Sequence, residues 1–178
     1  MQLVIDRLWD ASPAAPSEQT TLDLRARAGA LEIAVDAPYH GDPPPPSPAG
    51  STPGLWNFEV VELFLHAPGD RYLELEFGPH GHSLALQLHG VRNVVATVQI
   101  ELHVDPPANG RWRGRAVVSP DLLPPGLARC NAHAIHGQGE ARRYLSALPA
   151  AGARPDFHRP DVTMPLDPAL LRELSLRT

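Results

Sequence analysis

Lysine is missing altogether from this 178-residue chain, so all 15 of its basic residues are arginine. Against 20 acidic residues this leaves a formal charge of -5, with the two signs interspersed along the chain. A protein that tracks phosphates shows a basic excess on at least one element. DNA and RNA are therefore discounted as partners, and the missing lysine reads as the coding bias of a GC-rich genome. Cysteine is nearly absent as well. Cys130 has no partner for an internal disulfide, and its place in an apolar alternation makes it a small buried hydrophobe. No stretch reaches the apolar length of a membrane span, and the opening MQLVIDRLWDASP has neither the basic start nor the apolar run of a secretory signal. The expectation is a cytoplasmic protein without a membrane partner. Also missing are GxSxG, a P-loop, GxGxxG ahead of a helix and HExxH, which removes the common hydrolase, nucleotide, dinucleotide and zinc-protease readings. No cofactor is expected.

What the chain does have is proline and glycine, 21 and 14 residues, clustered between short apolar runs as turns punctuate an all-β chain. Period-two alternation dominates. Leu22, Leu24 and Ala26 followed by Leu31, Ile33 and Val35 across Ala28-Gly29-Ala30 read as a hairpin. Residues 41–54, GDPPPPSPAGSTPG, cannot supply a regular ladder of N–H groups and should run as extended surface chain. The run FEVVELFLH at 58–66 suits a central strand. In the next strand Leu73, Leu75 and Phe77 should face the core, with Tyr72, Glu74 and Glu76 as a polar stripe behind them. Leu84, Leu86 and Leu88 read as the next inward set after a turn at Gly78-Pro79-His80-Gly81, and residues 94–104 read as one further strand. Trp112, Gly114, Ala116 and Val118 oppose an outward row of Arg111, Arg113 and Arg115, and residues 128–136 form another strand. Only the tail reads as helix, with Asp167 capping, Pro168 at the first position and Leu170, Leu171 and Leu174 as its apolar stripe. The whole chain, residues 1–178, is expected to be one domain: an all-β, two-sheet antiparallel β-sandwich with a short C-terminal helix.

Candidate site residues follow from this layout. Trp56, Asn57 and Glu59 converge where the proline-rich loop enters the central strand, at a rim a ligand can reach. Glu62 shares a strand face with Val60 and Phe64, so its carboxylate has to be paired, hydrogen-bonded or protonated; it is either structural or part of a site. Tyr72 and Glu74, with Glu76, Gln87 and His89, could line a polar sheet face that meets sugar hydroxyls, or the glutamates could pair with the arginine row. Among nine histidines, His133 and His136 fall three apart on a strand and should point to opposite faces, while His158 can join a site from the PDFH segment.

Several short motifs occur in one order over roughly residues 6–159: Leu55-Trp56, Glu59-Val60-Val61-Glu62, Tyr72-Leu73-Glu74, Gly78-Pro79-His80-Gly81, NAHAIHG at 131–137 and PDFH at 155–158. Together they resemble family 9 carbohydrate-binding modules and related DOMON-like domains. A closer likeness is to a family spread through bacteria and animals that shares this fold and brings no established activity with it. Asn57 stands where the broader pattern has Asp, which weakens a metal or hydrogen-bonding role carried to that position. The resemblance implies the β-sandwich; the reading of the residues is a non-catalytic domain that binds a carbohydrate or another small polar ligand through Trp56, Asn57, Glu59, Glu62, Tyr72, Glu74, His133 and His158. The alternative is a small metal-dependent or hydrolytic enzyme built around Glu62, His133, His136 and His158.

Overall fold

The computed structural model describes residues 1–150 and 152–175. In chain order the strands are β1 (Gln2–Ile5), β2 (Arg7–Leu8), β3 (Thr20–Arg27), β4 (Ala30–Pro38), β5 (Gly50–Ser51), β6 (Val60–Ala67) and β7 (Arg71–Phe77). They continue with β8 (His82–His89), β9 (Val94–Val98), β10 (Glu101–Ala108), β11 (Arg111–Val118), β12 (Arg129–His136), β13 (Arg143–Ser146) and β14 (Met164–Pro165), and α1 (Pro168–Ser175) follows. Two sheets form. The smaller runs β1-β3-β4-β11-β10, and the larger runs β2-β13-β12-β6-β7-β8-β5, with β9 also on β8 and β14 on β12. Pairing is antiparallel except for the short contact of β5 with β8.

The expected hairpin forms between β3 and β4, where Leu22 faces Val35 and Leu24 faces Ile33. These side chains meet Leu63, Leu65, Leu73, Leu75 and Phe77 of the larger sheet, all buried, with Trp112 only 1% exposed among them. Cys130 lies in the same core, where burial pushes its thiol up to about 12 and leaves it inert. The closing helix begins as expected, with the Ala169 N–H donating to Asp167 Oδ1 at 2.7 Å and Leu170 and Leu174 buried. Among the described residues no helix is long and apolar enough to cross a membrane.

Two strand assignments differ from the sequence pattern. Residues 94–104 are not one strand: β9 ends at Val98 on the larger sheet and β10 starts at Glu101 on the smaller, so the chain changes sheet at residues 99–100. The faces of β8 are also inverted. Phe77 pairs with Ser83 and Leu75 with Ala85, which sets Leu84, Leu86 and Leu88 beside Glu76, Glu74 and Tyr72 on the face away from the core. Both faces of β8 are covered, so hydrophobicity alone could not choose between them.

The proline-rich connection is held at several points. The Glu59 carboxylate accepts from the backbone N–H groups of His40 and Asp42 at 2.9 and 3.2 Å, and His82 Nε2 bonds the Ser47 carbonyl at 2.9 Å. At the end of β12, Gly137 turns the chain with φ of +77°, and a Cβ there would stand 2.4 Å from the Ala141 carbonyl oxygen. Backbone cannot step aside cheaply, so Gly137→Ala is expected to destabilise the protein by about 2–4 kcal/mol in urea unfolding. A change below about 1 kcal/mol would show that the 137–142 turn relaxes.

Candidate functional site

The larger sheet buries its second face as well. Leu55, Val60, Phe64, Leu84, Leu86 and Ile135 form an apolar layer there, with Phe58, Tyr144 and Phe157 packed against it. Three glutamates lie within this layer. In the ladder His133 faces Glu62 and Glu62 faces Glu76, while Phe64 faces Glu74 one rung along. One carboxylate oxygen from each glutamate lies within 4.8 Å of the others, and Glu76 is fully buried. Both Glu76 oxygens and Glu74 Oε2 are buried without a hydrogen-bond partner; the Trp56 backbone N–H is directed at Glu76 but stays outside bonding geometry. Burial, reinforced by mutual repulsion, holds Glu76 up to about 10 and Glu62 well above the usual carboxylate range, and burial raises Glu74 to about 7. At neutral pH this floor keeps protons that exposed glutamates would release.

A layer of histidines adjoins the acids. The Tyr72 hydroxyl accepts the Arg92 N–H at 3.0 Å and lies 2.8 Å from His158 Nδ1. In the tautomer with the phenol donating to Nδ1, the His158 proton sits on Nε2, 3.9 Å from Glu74 Oε2. Burial and nearby Arg92 hold His158 down to about 4, in keeping with a neutral ring. Asp156 ties the segment down, accepting from Arg92 at 2.7 Å and from the His158 N–H at 3.1 Å. His133 stacks on Phe157 at 3.9 Å between centroids, and neither of its ring nitrogens has a partner.

Beside these groups opens a cavity of about 380 Å³, with Trp56, Glu62, Glu74, Tyr144, Phe157 and His158 in its lining. It is large enough for a small ligand. Trp56 is 44% exposed, which sets it apart from the buried Trp112. Its position is fixed from behind, since Arg142 donates to the carbonyls of Trp56 and Asn57 at 2.5 and 3.0 Å.

Of the residues singled out in the sequence, Trp56, Glu62, Glu74 and His158 line this cavity. Tyr72 supports His158 from behind, and His133 sits beneath Phe157. Two point elsewhere: the Asn57 amide bonds the Gly54 carbonyl, and Glu59 holds the 40–42 backbone. His136 is on the opposite face of β12, stacked on His40 and bonded to Glu18 at 3.2 Å, so the set Glu62, His133, His136 and His158 does not converge. Arg111 and Arg113 pair with Asp36 on the smaller sheet and leave the glutamates uncompensated. Sequence reasoning left Arg92, Tyr144 and Phe157 out of the site. The PDFH motif carried the signal for Phe157, and nothing local marked Arg92 or Tyr144.

No protein-family model matches the chain. It is 36% identical over 173 residues to the UPF0462 protein C4orf33 homolog of Danio rerio, covering 89% of this chain and 85% of that protein. The homolog from Mus musculus is 35% identical over 169 residues, with 89% and 87% covered. UPF0462 protein C4orf33 of Homo sapiens is 32% identical over 168 residues, with 89% and 83% covered. Among solved structures the chain superposes on the crystal structure of a "putative carbohydrate-binding protein" from Bacteroides uniformis with a TM-score of 0.70 at 14% identity, over 94% of this chain and 86% of that one. At that identity the likeness shows the fold.

Proposed function

The chain belongs to the UPF0462 (C4orf33) family, and we propose that it is a non-catalytic binding domain whose cavity takes a carbohydrate or another small, hydroxyl-rich ligand. The observation that carries this reading is the pairing of an exposed indole, Trp56, with the buried carboxyl groups of Glu62 and Glu74 in the lining of one cavity. A sugar ring offers an apolar face for stacking and hydroxyls that both donate and accept. Carboxyl groups of mixed protonation can answer both. The fold shared with the Bacteroides uniformis protein and the likeness to family 9 modules support the same reading.

A saccharide array followed by calorimetry on its hits tests the proposal. Trp56→Ala is expected to weaken binding of a hit by about 5- to 30-fold, since a rim aromatic stacked on ligand contributes on the order of 1–2 kcal/mol. Its melting temperature should fall by only a few degrees, because nearly half of the side chain already faces solvent. Unchanged affinity for a verified hit would place binding elsewhere. Recovery of the hit chemically unaltered after prolonged incubation separates binding from the hydrolytic alternative.

A further inference from the structure

We propose that Glu62, Glu74 and Glu76 are the protein ligands of a hard divalent cation, of the Ca²⁺ or Mn²⁺ kind, seated on the cavity floor with its outward positions turned to the hydroxyls of the bound ligand. The contact with ligand rests on the binding reading above; the cation site itself does not. Oxygens that share an ion at about 2.0–2.6 Å lie about 3–5 Å apart, and one oxygen from each glutamate is within 4.8 Å of the other two. All three side chains project from the paired strands β6 and β7, so the ladder fixes their spacing. The donor set is oxygen only, which suits Ca²⁺, Mg²⁺ or Mn²⁺ and not the nitrogen and sulfur ligation of structural zinc.

Two observations set this cluster apart from an ordinary acidic patch. Glu76 is fully buried with both oxygens free of hydrogen bonds, and His133, only 2% exposed and directly across the ladder from Glu62, has no partner for either nitrogen. Buried polar groups left so incomplete call for an unseen partner. Among the described residues no arginine fills that role: Arg92 is bonded to Asp156, and Arg142 to backbone carbonyls of the rim. A divalent ion bound here displaces the protons that the three carboxyls otherwise keep, and the adjoining cavity leaves room for the waters or hydroxyls that complete its shell.

The test is a Mn²⁺ titration of EDTA-stripped full-length protein, followed by electron paramagnetic resonance, with Ca²⁺ as competitor. One equivalent of Mn²⁺ is expected to bind and to be displaced by Ca²⁺. Glu76→Gln and Glu62→Gln should each weaken binding by at least about tenfold while keeping the β-type circular dichroism spectrum and a cooperative melt. Absence of binding at millimolar Mn²⁺ overturns the proposal. So does equal affinity in whichever variant stays folded, since the ion would then sit on surface carboxylates. Saccharide binding measured with and without EDTA keeps the two readings apart. Mn²⁺ uptake with no saccharide hit removes the ligand reading and leaves the ion site, whereas saccharide binding that ignores EDTA in a protein that takes up no Mn²⁺ does the reverse.

Discussion

Phe64→Ala is expected to lower the unfolding free energy by about 3–5 kcal/mol, the usual cost of removing a fully enclosed aromatic ring. Phe64 is 1% exposed on β6, a central strand of the larger sheet, paired with both β7 and β12. Its ring lies 5.3 Å from His133, 5.4 Å from His158 and 6.1 Å from Tyr72. The cavity left by truncation therefore borders side chains that cannot collapse inward without breaking the Tyr72–His158 hydrogen bond. Urea unfolding should show a lower midpoint with an unchanged slope. The comparison with Trp56→Ala matters most: Phe64→Ala costs mainly stability and Trp56→Ala mainly affinity. A loss below about 1 kcal/mol at Phe64 would mean that the covering segment at 155–158 does not pack as described.

That covering segment also explains how much of the site was legible in the sequence. Alternation gave the β3–β4 hairpin, the central strand from Val60, the inward Trp112 and the capped helix at Pro168, because each depends on local spacing. It also put Tyr72, Glu74 and Glu76 on one face of β7, where they are. What spacing could not supply was the environment of that face. A stripe of two glutamates and a tyrosine reads as solvated or paired with arginines, yet residues 157–158 from far along the chain cover it and turn a polar face into a low-dielectric floor. The inverted register of β8 has the same origin, since leucines on a covered second face look like core leucines. Glu59 shows the opposite error. Its place beside Trp56 suggested a rim carboxylate, but the backbone at residues 40–42 approaches closely enough to claim both oxygens. Tertiary approach of distant segments decided each of these residues.

In cation-free buffer the protein is expected to lose stability as pH rises from about 6 to about 9, and Glu76→Gln is expected to remove much of that loss. Burial and neighbouring carboxylates hold Glu76 up to about 10, and burial holds Glu74 up to about 7, whereas in the unfolded chain both titrate as ordinary glutamates. Between those limits the native state binds more protons than the unfolded state, so stability is fully present below the unfolded value and falls as pH rises through the folded ones. Among the described residues the groups facing Glu76 add little relief: Glu62 and Glu74 repel it, the Trp56 N–H is directed at it, and no arginine bonds it. Histidines act in a separate window. Burial holds His66 and His158 down to about 4, below their unfolded value, so their contribution is lost as pH falls from about 6.5 toward 4. The two slopes oppose each other between about pH 4.5 and pH 6.5, so stability is nearly level there and falls once pH rises above about 6.5, where only the carboxyl contribution is still being lost. For a chain of this length, with about 2–4 °C of melting temperature per kcal/mol, the wild type should melt at least about 5 °C lower at pH 9 than at pH 6. Gln cannot ionise in either state and keeps the shape of a protonated Glu, so Glu76→Gln should melt somewhat above the wild type at pH 6 and by a clearly wider margin at pH 9. Parallel profiles for the two proteins would mean that Glu76 is ionised and compensated at neutral pH, which contradicts the buried, unpartnered carboxyl that the sheet holds beside Glu62.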